Sequence, residues 1–274
     1  MRGFFFDTAD EEYIRRTWDK LVEYVDGYEV LGVTTNPNAL NKIGCNTLNQ
    51  LENTVHGLCE LISEIRGKDT GGTIYVQMPQ SLMENYEIYD WARYIVTLTD
   101  TYTNVGMKIP HFQYTLELST ELMDMGVDIN VTGIADWANI IKSFAYPGVV
   151  YASIITGRME EVGMDANHHL EMVRSVPRHR YFDQQVIAGS MRTIRGLQDA
   201  VDRGAIPTIG TRVWNQFDTF ERFPYIWDLS REMEDRTFRS HPPLITEINR
   251  QLSVDFFAQM DKLGKSMYLE FINR

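Results

Sequence analysis

The sequence predicts an α/β fold, a single (β/α)8 TIM barrel over residues 1–274 with an additional C-terminal helix. Short runs rich in β-branched and aromatic residues recur eight times, and each is followed by a longer segment with helical periodicity. A length of 274 residues also suits one barrel of this kind. A doubly wound open sheet is the competing prediction, but the glycine-rich turn of a dinucleotide site is missing after the first run.

The elements follow from these runs in chain order. The predicted strands are Gly3–Phe6, Val30–Thr34, Thr73–Met78, Val105–Ile109, Asp128–Thr132, Val149–Ile155, Gln184–Ala188 and Ala205–Ile209. The first helix is predicted over Glu11–Val25, because apolar residues recur there every three or four positions and form one face. That face consists of Ile14, Trp18, Leu21, Val22 and Val25.

Two later stretches do not fit the repeat. Residues 221–240 are dense in charge and carry three aromatic residues close together, which indicates an insertion. Residues 242–264 begin with two prolines and then carry an amphipathic stripe, which predicts the additional helix. Such a helix either packs across one end of the barrel or docks on a neighbouring subunit, and the sequence leaves both open.

Composition excludes several classes of function. The 26 basic and 38 acidic residues give a net charge of −12, which disfavours nucleic acid as a partner. No run approaches the roughly 18 apolar residues of a membrane span. Cys45 and Cys59 form no CxxC motif, and no apolar signal stretch precedes them, so we expect a cytoplasmic protein.

Polar residues follow or end seven of the predicted strands, at the barrel end where such folds carry their chemistry. Burying these groups without partners is costly, which makes their concentration informative. They are Asp7, Thr34, Thr35, Asn36, Gln77, Lys108, Asn130, Thr132, Ser153, Arg158, Ser190 and Arg192.

Lys108 and Asp7 are the candidate catalytic pair. Burial in a barrel strand lowers the pKa of a lysine, and a partly neutral amine can form a Schiff base with a ketone. Asp7 could then accept a hydroxyl proton during bond cleavage. Both have plainer alternatives: the Lys108 amine could extend to water, and Asp7 could cap the following helix.

Arg158, Ser190 and Arg192 come after the sixth and seventh strands, near the position where barrel enzymes often hold phosphate. The alternative is a pair of solvated surface arginines. No HExxH motif and no clustered Cys/His spacing indicates a metal site.

Together these segments resemble the transaldolase family, and within it the short subfamily that includes fructose-6-phosphate aldolase. The resemblance spans the first seven strands in order. It rests on Phe5-Phe-Asp-Thr-Ala9, Gly32-Val-Thr-Thr-Asn-Pro37, Val105-Gly-Met-Lys-Ile-Pro110, Asn130-Val-Thr132, Ser153-Ile-Ile-Thr-Gly-Arg158 and Gly189-Ser-Met-Arg192. The segment around 241–264 is also similar to the family's last helix, which in the short subfamily helps to build pentamers stacked into decamers.

The resemblance implies class I aldolase chemistry on a ketose phosphate, with no metal and no organic cofactor, in a homo-oligomer. It implies that Lys108 forms the Schiff base, Asp7 accepts the C4-hydroxyl proton, and Gln77 and Thr132 position water. It further implies two groups of substrate-binding residues. Thr34, Asn36, Asn130 and Ser153 lie at the dihydroxyacetone part, and Arg158, Ser190 and Arg192 lie at the phosphate.

Departures from the family pattern leave three functions open. Gln77 is typical of the aldolase branch, whereas Asn130 and Ser153 are typical of transaldolases, and Ile155 replaces the tyrosine of the aldolase branch. The family glutamine on the fifth helix is Asn139. We therefore expect a transaldolase, with an aldolase that releases free dihydroxyacetone as the alternative. A sugar-phosphate-binding protein without turnover is the third possibility.

Overall fold

Eight parallel strands pair in chain order, and the last pairs with the first to close a barrel. The structure, a computed structural model, describes residues 3–21, 28–67, 71–79, 84–99, 102–175 and 184–217. The strands are β1 (Gly3–Asp7), β2 (Glu29–Thr34), β3 (Gly72–Gln77), β4 (Thr103–Pro110), β5 (Ile129–Ile134), β6 (Val149–Ile154), β7 (Gln185–Ala188) and β8 (Ile206–Ile209). The helices within these residues are α1 (Glu11–Leu21), α2 (Pro37–Lys42), α3 (Leu48–Arg66), α4 (Asn85–Thr97), α5 (Gln113–Asp124), α6 (Trp137–Phe144), α7 (Thr156–Glu161), α8 (Ala166–Ser175), α9 (Ile194–Asp202) and α10 (Thr211–Phe217).

The predicted (β/α)8 barrel is confirmed, and its closure excludes the open-sheet alternative. All eight strands lie where the sequence predicts them, with ends that differ by one or two residues. The predicted insertion at 221–240 and the predicted helix at 242–264 lie outside the described residues. None of the helices in the described ranges is long and apolar enough to cross a membrane.

The interior of the barrel is filled at its lower level by aromatic rings. Phe5, Tyr75 and Tyr151 pack edge to face, with ring centroids 5.5 to 5.8 Å apart. We call these three residues the aromatic floor. They pack with Ile187 and Ile206 in a cluster separate from the main core.

Gly106 provides the space that the aromatic floor needs. A Cβ atom at this position would lie 2.5 Å from Cε1 of Tyr75, closer than packed carbon atoms allow. Because Tyr75 is fully buried, its ring has little room to move away. β4 therefore passes the floor with a residue that has no side chain.

The main core lies between the outside of the barrel and the surrounding helices. In α1 the buried side chains are Tyr13, Ile14, Thr17 and Leu21, which form one face toward the barrel. The longest described helix, α3, begins with a capping box in which Thr47 and Gln50 exchange side-chain and backbone hydrogen bonds. These contacts fix the helices against the strands and leave the carboxyl ends of the strands to form a site.

Candidate active site

A cavity with an empty volume of about 350 Å³ lies at the carboxyl end of the barrel. Most of its polar lining comes from the predicted strand-end residues. The lining consists of Asp7, Thr34, Asn36, Lys108, Thr132, Ser153, Ile155, Ile187, Gly189, Ser190 and Thr208. Four predicted site residues, Gln77, Asn130, Arg158 and Arg192, are not in this lining.

Strand register explains why so many polar groups meet. Lys108 pairs with Gln77 on one side and with Asn130 on the other, so three polar residues occupy one level of β3, β4 and β5. Side chains alternate along a strand, and Asp7 follows the inward Phe5 by two residues. The polar level therefore lies directly above the aromatic floor.

Lys108 is buried, with 6% of its surface exposed, so its amine does not extend to water as the plainer alternative required. Its Nζ donates a hydrogen bond to the carbonyl oxygen of Thr35 at 3.1 Å. Burial lowers the pKa of the amine, while the charge of Asp7 acts in the opposite direction. A lowered pKa increases the fraction of neutral amine, which is the nucleophilic form.

Asp7 faces the cavity, where its Oδ1 accepts hydrogen bonds from Thr34 Oγ1 and Asn36 Nδ2, both at 3.3 Å. The alternative role as a helix cap belongs to another residue. Asp10 Oδ1 accepts from the backbone N–H of Tyr13 at 2.9 Å, which satisfies the start of α1. Asp7 is thus available to a ligand.

Asn36 has a structural role as well as a place in the site. As the N-cap of α2, its Oδ1 accepts from the backbone N–H of Ala39 at 3.0 Å. This bond fixes which way the amide points and directs Nδ2 toward Asp7. The Thr34 hydroxyl likewise donates to Asp7, so both residues position the carboxylate in the unliganded site.

Ser153, which lines the cavity, forms a buried pair with Asn130, which does not. Ser153 Oγ donates to Asn130 Oδ1 at 2.7 Å. Within the described ranges, Asn130 Nδ2 and Gln77 Oε1 are buried and have no hydrogen-bond partner. An unsatisfied donor and an unsatisfied acceptor, on the strands beside Lys108, are costly unless a ligand or water binds them.

A group of arginines lies beside Ser190, which lines the cavity with a left-handed backbone at φ 59°. Arg192 Nη1 donates to the Ser190 carbonyl oxygen at 2.7 Å, and Arg192 Nε donates to Glu161 Oε1 at 2.6 Å. Arg158 is half-buried, and burial and the neighbouring Arg192 charge lower its pKa. The two arginines are not the freely solvated pair of the alternative.

The sequence analysis missed several cavity residues. Thr208, Ile187 and Gly189 line the cavity, and no polar residue of the eighth strand was singled out. Alternation could have indicated Thr208, because it follows the inward Ile206 by two positions. Its hydroxyl is buried without a hydrogen-bond partner in the described part of the chain.

The described residues contain no group of three or more His, Cys, Asp or Glu side chains that could hold a metal ion. What the site offers is a buried amine, a carboxylate, amide and hydroxyl groups, and guanidinium groups at the edge. Such a set can form an imine with a carbonyl, accept a proton and bind an anion.

Comparison with known proteins shows what the chain is similar to. The sequence matches the model of the family described as transaldolase/fructose-6-phosphate aldolase over residues 4–262. A solved structure, the YdjI aldolase from Escherichia coli K12, aligns with a TM-score of 0.49 at 12% identity, covering 97% of this chain and 91% of that one.

Three bacterial proteins named probable transaldolase are similar to the chain. The protein from Myxococcus xanthus is 30% identical over 206 residues, which cover 74% of this chain and 80% of the relative. The protein from Bdellovibrio bacteriovorus is 28% identical over 211 residues, which cover 77% of this chain and 86% of the relative. The protein from Streptococcus agalactiae is 26% identical over 233 residues, which cover 82% of this chain and 97% of the relative.

Proposed function

The chain belongs to the transaldolase/fructose-6-phosphate aldolase family, and from this premise we propose that it is a transaldolase. It transfers a dihydroxyacetone unit from a ketose phosphate, such as fructose 6-phosphate or sedoheptulose 7-phosphate, to an aldose phosphate. The observation that carries the proposal is the buried Lys108 amine, with a lowered pKa, in one cavity with the Asp7 carboxylate.

In the proposed reaction the neutral Lys108 amine attacks the C2 carbonyl of the ketose phosphate to give a carbinolamine. Its hydroxyl group leaves as water with a proton taken from solvent, which gives a protonated imine; the same proton returns to solvent when the imine is hydrolysed. Asp7 takes the proton of the C4 hydroxyl, the C3–C4 bond breaks, and its electron pair moves into the imine to form an enamine. The aldehyde product departs. The enamine then attacks the acceptor aldehyde, whose oxygen takes the proton from Asp7, and water hydrolyses the imine.

The other residues fit the same proposal. The unsatisfied Asn130 amide and the Ser153 hydroxyl are suited to bind hydroxyl groups of the dihydroxyacetone unit. Gln77 has a free buried acceptor for a water molecule, which it can orient but cannot deprotonate. Thr132 lines the cavity near that position, and Arg158, Ser190 and Arg192 are suited to a phosphate group.

A direct aldolase is the second candidate, and Gln77 favours it, because an amide at this position is typical of that branch of the family. Ile155 opposes it, since this apolar side chain lines the cavity where that branch carries a tyrosine. Release of free dihydroxyacetone from fructose 6-phosphate in the absence of any acceptor aldehyde would establish the aldolase and overturn the transferase.

The proposal is tested by borohydride trapping with fructose 6-phosphate, followed by intact mass and peptide mapping. We expect an adduct of the dihydroxyacetone unit on Lys108. Lys108→Met should abolish it, and Lys42→Met, at an exposed position at the end of α2, should not. Trapping that persists in Lys108→Met, or an adduct that retains the whole hexose, would contradict the proposed mechanism.

A further inference from the structure

A third arginine, absent from the sequence-based site, lies beside the two that were predicted. Arg212, at the start of α10, donates from Nη1 to Glu161 Oε1 at 2.9 Å. The same oxygen accepts from Arg192 Nε at 2.6 Å. Glu161 therefore holds the guanidinium groups of Arg192 and Arg212 next to each other.

Glu161 stays ionised in this position. The hydrogen bond from Arg192 lowers the pKa of its carboxyl group, and the hydrogen bond from Arg212 acts in the same direction, while burial opposes them. The carboxylate is half exposed, so the two ion pairs contribute little to folding stability. Their effect is on geometry rather than on stability.

The geometry leaves donors on both arginines. Arg192 has five N–H groups, of which Nε and Nη2 face Glu161 and one N–H on Nη1 donates to the Ser190 carbonyl. Two of its N–H groups have no partner among the described residues. Arg212, whose side chain is 67% exposed, uses one of its five in the same part of the structure. Free guanidinium donors side by side suit the oxygens of a phosphate.

The charges point the same way. Arg158 lies within electrostatic range of both Arg192 and Arg212, and each of these positive charges lowers the pKa of Arg158. Arg158 is also within electrostatic range of Glu161, and Arg192 acts on the neighbouring carboxyl group of Glu160, whose pKa is raised, first by burial. Like charges at close range repel one another, and an anion bound among the guanidinium groups relieves that repulsion.

We propose that Arg212 is a third member of the phosphate site, positioned by Glu161. The inference rests on the proposed function, which supplies the sugar phosphate. Arg192 and Ser190 contact the phosphate from the cavity side, and Arg212 reaches it from the outer edge. Glu161 acts through the two arginines and does not itself contact the substrate.

The test measures the equilibrium binding of inorganic phosphate by phosphorus NMR titration at low ionic strength. We expect Arg212→Gln to weaken phosphate binding about five- to tenfold, and the effect to shrink in high salt. Arg15→Gln is the matched control, because Arg15 also forms an exposed pair with a carboxylate, Glu64 at 2.5 Å. It should change the affinity less than about twofold.

A double-mutant cycle tests the role of Glu161 separately. If Glu161 holds Arg212 at the site, Arg212→Gln should weaken phosphate binding less than about twofold in a Glu161→Gln background. An equal loss in both backgrounds would show that Arg212 acts only through long-range charge and would overturn the positioning role. A change no larger than that of Arg15→Gln would overturn the proposal entirely.

The binding readout also separates this inference from the proposed reaction. If phosphate binding depends on Arg212 but fructose 6-phosphate forms no imine at Lys108, the anion site stands and the transaldolase proposal fails. If the imine forms while phosphate binding is indifferent to Arg212, the reaction stands and Arg212 is a surface ion pair. Thermal unfolding of each variant confirms that a lost affinity does not reflect a lost fold.

Discussion

Neighbouring residues orient the Asp7 carboxylate and leave it available for the proposed proton transfer. Thr34 and Asn36 donate to it from the next strand and helix, while Asp10 takes over the capping of α1. These donors fix the orientation of the carboxyl group in the cavity, which suits it to the proposed proton transfer from a substrate hydroxyl group.

Asp7→Asn should keep the shape of this arrangement and lose the proton acceptor. We expect kcat for sugar-phosphate turnover to fall by about 10²- to 10⁴-fold, the usual contribution of a general base, with a small change in KM. Steady-state kinetics measures both. Asp10→Ala is the control, because loss of a cap should lower the free energy of unfolding by about 1 kcal/mol and leave kcat unchanged. A loss of kcat below tenfold in Asp7→Asn would assign the proton transfer to another group.

Lys108 carries a stability cost that depends on pH. Its pKa is lowered in the folded chain by burial, whereas an unfolded lysine titrates near its ordinary value of about 10.4. At neutral pH the folded state is therefore less stable, because folding either buries the charged Lys108 amine or removes its proton. Above the unfolded pKa both states are neutral, and the cost vanishes.

Lys108→Met should accordingly raise the free energy of unfolding at pH 7, and the gain should shrink as the pH rises toward about 10.4. Urea unfolding of both proteins between pH 7 and pH 10 measures the difference. Lys42→Met, at an exposed position, should show no such trend. A gain that grows with pH would contradict the lowered pKa.

Among the elements, β4 is the one with the least freedom to change. It carries Lys108 at the polar level and Gly106 at the level of the aromatic floor. A side chain at position 106 competes for space with Tyr75, and the backbone oxygen of Asp128 lies 2.8 Å from the same point. The strand that carries the amine is therefore located by packing just below it.

Gly106→Ala should destabilise the barrel by about 1 to 3 kcal/mol, the usual cost of overpacking a core. Denaturant unfolding measures this as a lower midpoint with an unchanged m-value. Combining it with Tyr75→Leu should reduce the penalty, because the smaller side chain frees space beside the new methyl group. An additive penalty in the double variant would show that the aromatic ring is not the obstacle.

How much of this could be read from the sequence differs between elements. The strands were predictable because each is a short β-rich run followed by a segment with helical periodicity, and polar residues such as Lys108 and Asp7 mark the ends of seven of them. Which aspartate caps α1 was not predictable, because Asp7 and Asp10 are both locally suitable. Partners from β2 and α2 decide the matter, and these meet Asp7 only in the folded chain.

The arginine cluster was likewise only partly predictable from the sequence. Arg212 follows β8 as Arg158 follows β6 and Arg192 follows β7, so the same strand-end signal could have indicated it. Its contact with Glu161, 51 residues away in the chain, could not be predicted. Neither belongs to a local motif that indicates their contact. The barrel closes with β8 against β1, and in the closed fold the Glu161 side chain at the end of α7 reaches Arg212 at the start of α10.

At the scale of the whole molecule, we predict a homo-oligomer, a pentamer or decamer by resemblance to the short subfamily. Light scattering coupled to size-exclusion chromatography measures the mass against 31.8 kDa per chain. Removing the segment after residue 241 should yield smaller species if that segment forms the interface. A monomer at micromolar concentration would contradict the predicted oligomer. An unchanged number of subunits after the truncation would show that this segment does not form the interface.

The aromatic floor also dictates the order of events in catalysis. Packed rings of Phe5, Tyr75 and Tyr151 close the lower end of the barrel, so molecules reach Lys108 from the carboxyl end. In the proposed transfer the first aldehyde and the acceptor must use that same opening, one after the other. Because both aldehydes react at the same enamine carbon, the proposed transfer is a double displacement, in which the carbon unit stays bound to Lys108 from the departure of the first aldehyde until the acceptor arrives.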